Sequence, residues 1–234
     1  MGQKKLIKFE EIKSFENVFE FPVDMKGNWH RFFNNSNPIV LELACGKGEY
    51  TNGLAKLYPD LNFIGIDIKG NRIWRGAKNA LTSELKNAAF VRSEIDRLKE
   101  YFAENEVAEI WLPFPDPYLS TAKIKKRLTH PKFLRMYQRI LLPGSAIHLK
   151  TDSPQLYRFT KNVIDVFGLE LMEDISDIHA RPDLSPELSI QTYYESLDIA
   201  KSKKVHYLKF RLDETLAEEK DLILKELEYA AKGA

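Results

Sequence analysis

Three acidic side chains stand where expected strands run out into loops: Glu42, Asp67 and Asp116. Glu42 lies near the end of the apolar run 39–43, just ahead of Ala44-Cys45-Gly46-Lys47-Gly48 and a helical pattern over 49–58. In open α/β sheets ligands bind beyond the carboxyl ends of strands, and glycines such as Gly46 and Gly48 let the backbone approach them. Asp67 closes the next apolar run, 62–68. An acid roughly 20 residues past the loop can grip ribose hydroxyls. The pair suits either a dinucleotide or S-adenosylmethionine. Glu42 favours the second, because a carboxylate repels a pyrophosphate and suits an ammonium and a sulfonium. The loop also lacks the GxGxxG spacing that brings pyrophosphate to a helix N-terminus. Asp116 sits in Pro113-Phe114-Pro115-Asp116-Pro117-Tyr118. Prolines on both sides restrict its backbone, and a rigid acid at a strand end is a candidate catalytic group.

These side chains need strands to carry them. Apolar runs at 39–43, 62–68, 88–91, 109–112, 146–150, 169–172 and 205–212 read as strands, and amphipathic stretches at 49–58, 72–85, 131–141, 155–167 and 214–231 as helices. Pro131 suits a first helical turn and Gly168 a helix end. Residues 176–189, rich in Pro, Asp and Ser, read as a loop. The alternation predicts an α/β fold with a mostly parallel seven-stranded sheet and helices on both faces.

The chain has 234 residues, enough to bury a full core, and a net charge of +1 that does not announce a nucleic-acid binder. The distribution of charge is more informative. Residues 118–150 contain no Asp or Glu, yet hold Lys123, Lys125, Lys126, Arg127, Lys132, Arg135, Arg139 and Lys150. Such a segment attracts phosphate, or is simply a solvated helix face. The single cysteine, Cys45, excludes an internal disulfide and a Cys-rich zinc site, and fits a reducing cytoplasm. Lying in the glycine loop, it reads as a packed residue and not a nucleophile. The five histidines show no metal-ligand spacing, so no metal is expected. No apolar run approaches membrane-spanning length.

Taken together, Glu42-x-x-x-Gly46-x-Gly48, Phe63-Ile64-Gly65-Ile66-Asp67, Phe114-Pro115-Asp116-Pro117, Lys126-Arg127-Leu128-Thr129, His148-Leu149-Lys150-Thr151-Asp152 and Thr192-Tyr193-Tyr194-Glu195 resemble the bacterial tRNA (guanine-N7)-methyltransferase family over roughly residues 17–212. The first two motifs occur in many methyltransferases; the later ones are more specific. The resemblance implies a Rossmann-like class I methyltransferase domain over 38–234. Residues 1–37 are then an extension packing on the core or contacting tRNA. It implies S-adenosylmethionine as cofactor, held by Glu42, Gly46, Gly48, Asp67, Glu94 and Asp116, with Asp116 catalytic. It implies tRNA as partner, met by Ser120, Lys123, Lys125, Lys126, Arg127, Asp152, Thr192, Tyr193, Tyr194 and Glu195. It further implies cytoplasmic action at guanosine 46 of the variable loop, by a monomer or homodimer. Ala44 stands where the family usually has its first loop glycine, and Ser120 where many members carry a substrate-contacting lysine.

Guanine N7 carries a lone pair and no proton, so the expected reaction needs position and charge instead of a strong base. Other readings are an exocyclic-amine methylase, suggested by Asp116-Pro117-Tyr118, a nicotinamide-dependent oxidoreductase, and a silent RNA-binding module.

Overall fold

The computed structural model describes residues 2–193, 195–197 and 204–233. The strands are β1 (Val18–Glu20), β2 (Ile39–Leu43), β3 (Asn62–Asp67), β4 (Ala88–Arg92), β5 (Val107–Pro113), β6 (Leu141–Thr151), β7 (Glu170–Ile175) and β8 (His206–Arg211). They form one sheet in the order β1-β4-β3-β2-β5-β6-β8-β7. All neighbours from β1 to β6 pair in parallel, and β8 runs antiparallel to β6 and β7. The α-helices are α1 (Gly2–Glu11), α2 (Trp29–Phe33), α3 (Glu49–Leu57), α4 (Gly70–Thr82), α5 (Leu98–Tyr101), α6 (Pro131–Ile140), α7 (Pro154–Phe167) and α8 (Lys220–Gly233).

The chain moves from β2 outward through β3 to β4, then returns to place β5 on the other side of β2. Strand order therefore reverses between β2 and β5, and the crevice beyond their carboxyl ends is where such sheets hold ligands. Both strands are central and buried, which explains their near-continuous apolar runs. Alternation along β2 sends Leu41 and Leu43 into one apolar layer and Val40 into the other, with Phe63, Phe90 and Tyr50. Glu42 shares Val40's side of the sheet, the side α3 covers.

Seven strands match the expected ones; β1 is an addition. It has only three half-buried residues and no alternation to announce it. It adds to the edge of β4, where the Phe90 N–H donates to the Asn17 carbonyl at 2.8 Å. The aromatic residues nearby go into the core: Trp29 is fully buried, stacks on Phe102 and donates its indole N–H to the Tyr101 carbonyl. Helix α8 begins at Lys220, later than the expected start at 214. The carbonyls of Leu212, Glu214, Leu216 and Ala217 accept from Gln138 and Arg135 of α6, so that stretch finds its partners outside a helix.

Among the described residues, no helix is long and apolar enough to cross a membrane, and no group of three His, Cys, Asp or Glu is arranged to hold a metal ion.

Candidate active site

The loop after β2 turns sharply: Ala44, Gly46 and Gly48 all take positive φ, at 59°, 55° and 68°. At Ala44 this costs strain that the family's glycine would avoid. Gly48 is needed for space as well, since a Cβ there would stand 2.5 Å from the Phe90 ring. This lets α3 and α4 converge on β4. No side chain at Gly48 caps α3. Glu42 does so instead, accepting from the Thr51 N–H at 2.7 Å and from the Thr51 hydroxyl. Burial pushes the Glu42 carboxyl up to about 8, against the opposing pull of the Thr51 bonds and with the help of nearby Glu49 and Asp67.

Asp67, at the end of β3, accepts from the Gly46 N–H at 3.0 Å and the Lys69 N–H at 2.8 Å. It thereby sets the shape of the glycine loop, and each oxygen retains a lone pair for a ligand hydroxyl. Glu94 follows β4 on an exposed turn and caps nothing with its side chain.

Asp116 is exposed, in the loop after β5. Phe114 and Tyr118 on either side have φ of 51° and 41°, strained values for aromatic residues. The loop is held at several points. The Phe114 N–H donates to the Lys150 carbonyl of β6 at 2.7 Å. Asp116 accepts from the Tyr118 N–H at 3.1 Å. The Arg127 guanidinium donates to the carbonyls of Pro117 and Tyr118.

That last contact corrects the expectation for Arg127. Expected to meet phosphate, it is 3% exposed and pairs with Glu228 of α8. Of the eight lysines and arginines in 118–150, three more are paired with acids. Lys132 pairs with Asp96, Arg135 with Asp221, and Lys150 with Glu195. Lys123, Lys125 and Lys126 remain exposed, on the turn Thr121–Lys126 that follows exposed Ser120.

The Thr-x-Tyr-Glu segment lies against this edge. Tyr193 meets the glycine loop, with the Lys47 ammonium 3.0 Å above its ring. An open cavity of about 620 Å³ beside them is lined also by Arg72 and Arg75. Thr192 is buried and accepts from the Glu195 N–H. Asp152, just past β6, is half-buried, and Tyr194 lies outside the described residues. The residue that sequence reasoning missed is Lys150, fully buried and bonded to Glu195. A lysine inside the strand run 146–150, next to Leu149, was the available signal, because a buried ammonium demands partners.

The chain matches a family model described as "Putative methyltransferase" over residues 36–208. It is 44% identical to a tRNA (guanine-N(7)-)-methyltransferase of Bacteroides thetaiotaomicron, covering 91% of this chain and 87% of that one. It is 44% identical to one of Christiangramia forsetii, covering 91% and 100%. Among solved structures it resembles the 16S rRNA methyltransferase KamB, with a TM-score of 0.60, 15% identity, and coverage of 79% of this chain and 92% of that one. A SAM-dependent methyltransferase from Aquifex aeolicus gives 0.51, 14%, 90% and 98%. At these identities the structural likeness speaks for the fold, a class I methyltransferase sheet.

Proposed function

Because the chain belongs to the tRNA (guanine-N(7)-)-methyltransferase family, we propose that its carboxyl-edge crevice brings S-adenosylmethionine and a tRNA guanine together beside Asp116. The enzyme is S-adenosylmethionine-dependent and methylates guanine N7 in tRNA. Family membership removes the nicotinamide reading. The observation that carries the site assignment is the strained loop after β5, which keeps a charged side chain exposed at the switch point of the sheet.

The residues present fit the cofactor. Asp67 keeps lone pairs for a ribose diol, Glu94, exposed after β4, is the acid we assign to the adenine, and Glu42, buried beside the glycine loop, is the acceptor we assign to the methionine ammonium. When bound, S-adenosylmethionine supplies an electrophilic methyl group on its sulfonium.

The remaining work belongs to the chain. Asp116 orients the guanine and offsets the positive charge that the base acquires, without taking a proton. Asp152, Thr192 and Tyr193 border the space for the base, and Ser120, Lys123, Lys125 and Lys126 meet the tRNA backbone. The target is guanosine 46 of the variable loop, and the compartment is the cytoplasm, where a free thiol such as Cys45 persists. The test is transfer of labelled methyl to unmodified tRNA, followed by borohydride and aniline cleavage, which cuts at 7-methylguanosine. Label without cleavage at position 46 would reject this target.

A further inference from the structure

Lys150 serves two different parts of the site, one through its main chain and one through its side chain. Its carbonyl accepts from the Phe114 N–H, two residues before Asp116. Its ammonium points the other way, donating to the carbonyls of Leu188 and Ile190, both at 2.9 Å, and to Glu195 Oε2 at 3.0 Å. Three N–H groups meet three acceptors, and the side chain is fully buried. Burial pulls the Lys150 ammonium below the ordinary lysine value, and Glu195 opposes that pull.

Stability does not explain such an arrangement. Lys150 lies in β6 between β5 and β8, where an apolar residue of similar volume packs as well without desolvating a charge. What the ammonium adds is a hold on the segment 184–197. Among its described residues that segment has only short turns of its own, such as the Leu188 N–H on the Ser185 carbonyl. Its other anchors include Tyr50 of α3, whose hydroxyl donates to the Glu187 carbonyl, Tyr58 just after α3, which donates to the Glu187 carboxylate, Lys47 over the Tyr193 ring, and His179, 3.9 Å from Glu195 Oε1. Ile190 fits over Gly53, where a Cβ would stand 2.9 Å from its Cδ1. Helix α3 starts at the glycine loop and β6 backs the Asp116 loop, so the segment is clamped by both halves of the site.

We propose that Lys150 is a positioning residue for guanine, stapling the Thr192–Glu195 segment to the sheet, and that Glu195 serves it as a hydrogen-bond acceptor instead of as a contact to the base. The proposal rests on the reading that this segment meets guanine. It replaces the tRNA contact expected of Glu195 from resemblance alone.

The experiment compares Lys150→Met, Glu195→Gln and Glu195→Ala in the full chain. It reads hydrogen exchange of the 186–197 amides, S-adenosylmethionine affinity by calorimetry, and steady-state tRNA methylation. Loss of the staple raises exchange in that segment about tenfold or more in Lys150→Met, while amides of β2 to β5 and cofactor affinity stay unchanged. kcat/KM for tRNA falls roughly 100-fold in Lys150→Met and in Glu195→Ala. Glu195→Gln, whose amide oxygen still accepts from Lys150, stays within about threefold of the parent. If Lys150→Met does not fold, the two Glu195 variants decide. Unchanged exchange in Lys150→Met overturns the staple. A Glu195→Gln variant as impaired as Glu195→Ala overturns the acceptor role, because an amide oxygen would then fail where a carboxylate works. Raised exchange with parental methylation overturns the positioning role. A parent chain that methylates no tRNA counts against the functional reading itself, while the exchange data still report on the staple.

Discussion

Arg127 and Glu228 form an ion pair 2.8 Å long, with side chains 3% and 12% exposed, that joins the C-terminal helix to the loop carrying Asp116. The same guanidinium stacks over Phe159 of α7 and holds the Pro117 and Tyr118 carbonyls. Removing one partner of a buried pair leaves the other charge uncompensated. Arg127→Met is therefore expected to cost roughly 3–5 kcal/mol in urea denaturation. Glu228→Gln keeps an acceptor and costs less. Both are expected to slow methyl transfer at saturating cofactor, because the Asp116 loop loses its brace. An Arg127 variant with parental stability and weakened tRNA binding would restore the phosphate contact expected from sequence.

Asp116→Asn keeps the shape and the Tyr118 bond but removes the charge. Single-turnover methylation of unmodified tRNA is expected to fall by about 10²-fold or more, with cofactor and tRNA still bound. Since N7 has no proton to lose, the parent rate carries no general-base limb near neutral pH. A neutral limb that vanishes in the variant would point to an exocyclic amine as the target.

Lys123, Lys125 and Lys126 are exposed together on one turn of the basic segment, and Arg139 of α6 is exposed apart from them. Replacing all three with alanine is expected to weaken tRNA binding at every sequence and to reduce its log–log salt slope by about one per lost phosphate contact. Filter binding across a salt series reads this directly. An unchanged slope would make them a solvated turn.

Glu42 keeps its proton in the folded chain to about pH 8, against 4.5 for an unperturbed glutamate side chain. Between those values the folded state binds more protons than the unfolded one, so stability falls as pH rises through the window. Glu42→Gln removes that dependence. Its stability relative to the parent is expected to climb by roughly 1–3 kcal/mol between pH 5 and 8 in parallel denaturation curves. A cationic ligand that draws the proton off makes cofactor binding at pH 7 release about one proton in the parent and none in the variant. Calorimetry in buffers of different ionisation enthalpy measures it. Equal proton release in both would take Glu42 out of the cofactor site.

Local chemistry was readable from the chain because it is local. The run 39–43, the glycines behind it, Asp67 at the next strand end and the prolines around Asp116 are each set by periodicity and backbone restriction within a few residues. Their convergence follows because parallel strands present all their carboxyl ends at one edge. The pairing of charges is a different matter. Arg127 meets Glu228 from 101 residues away, Arg135 meets Asp221 from 86, and Lys150 meets Glu195 from 45. In sequence these cations form one basic segment; in the fold each is matched by an acid brought in by α8 or by the 184–197 segment. Whether a charge faces a ligand or another side chain depends on which distant element packs over it, and only the tertiary structure decides that. The same holds for β1, too short to show a period, which exists because the open edge of β4 offers it hydrogen bonds.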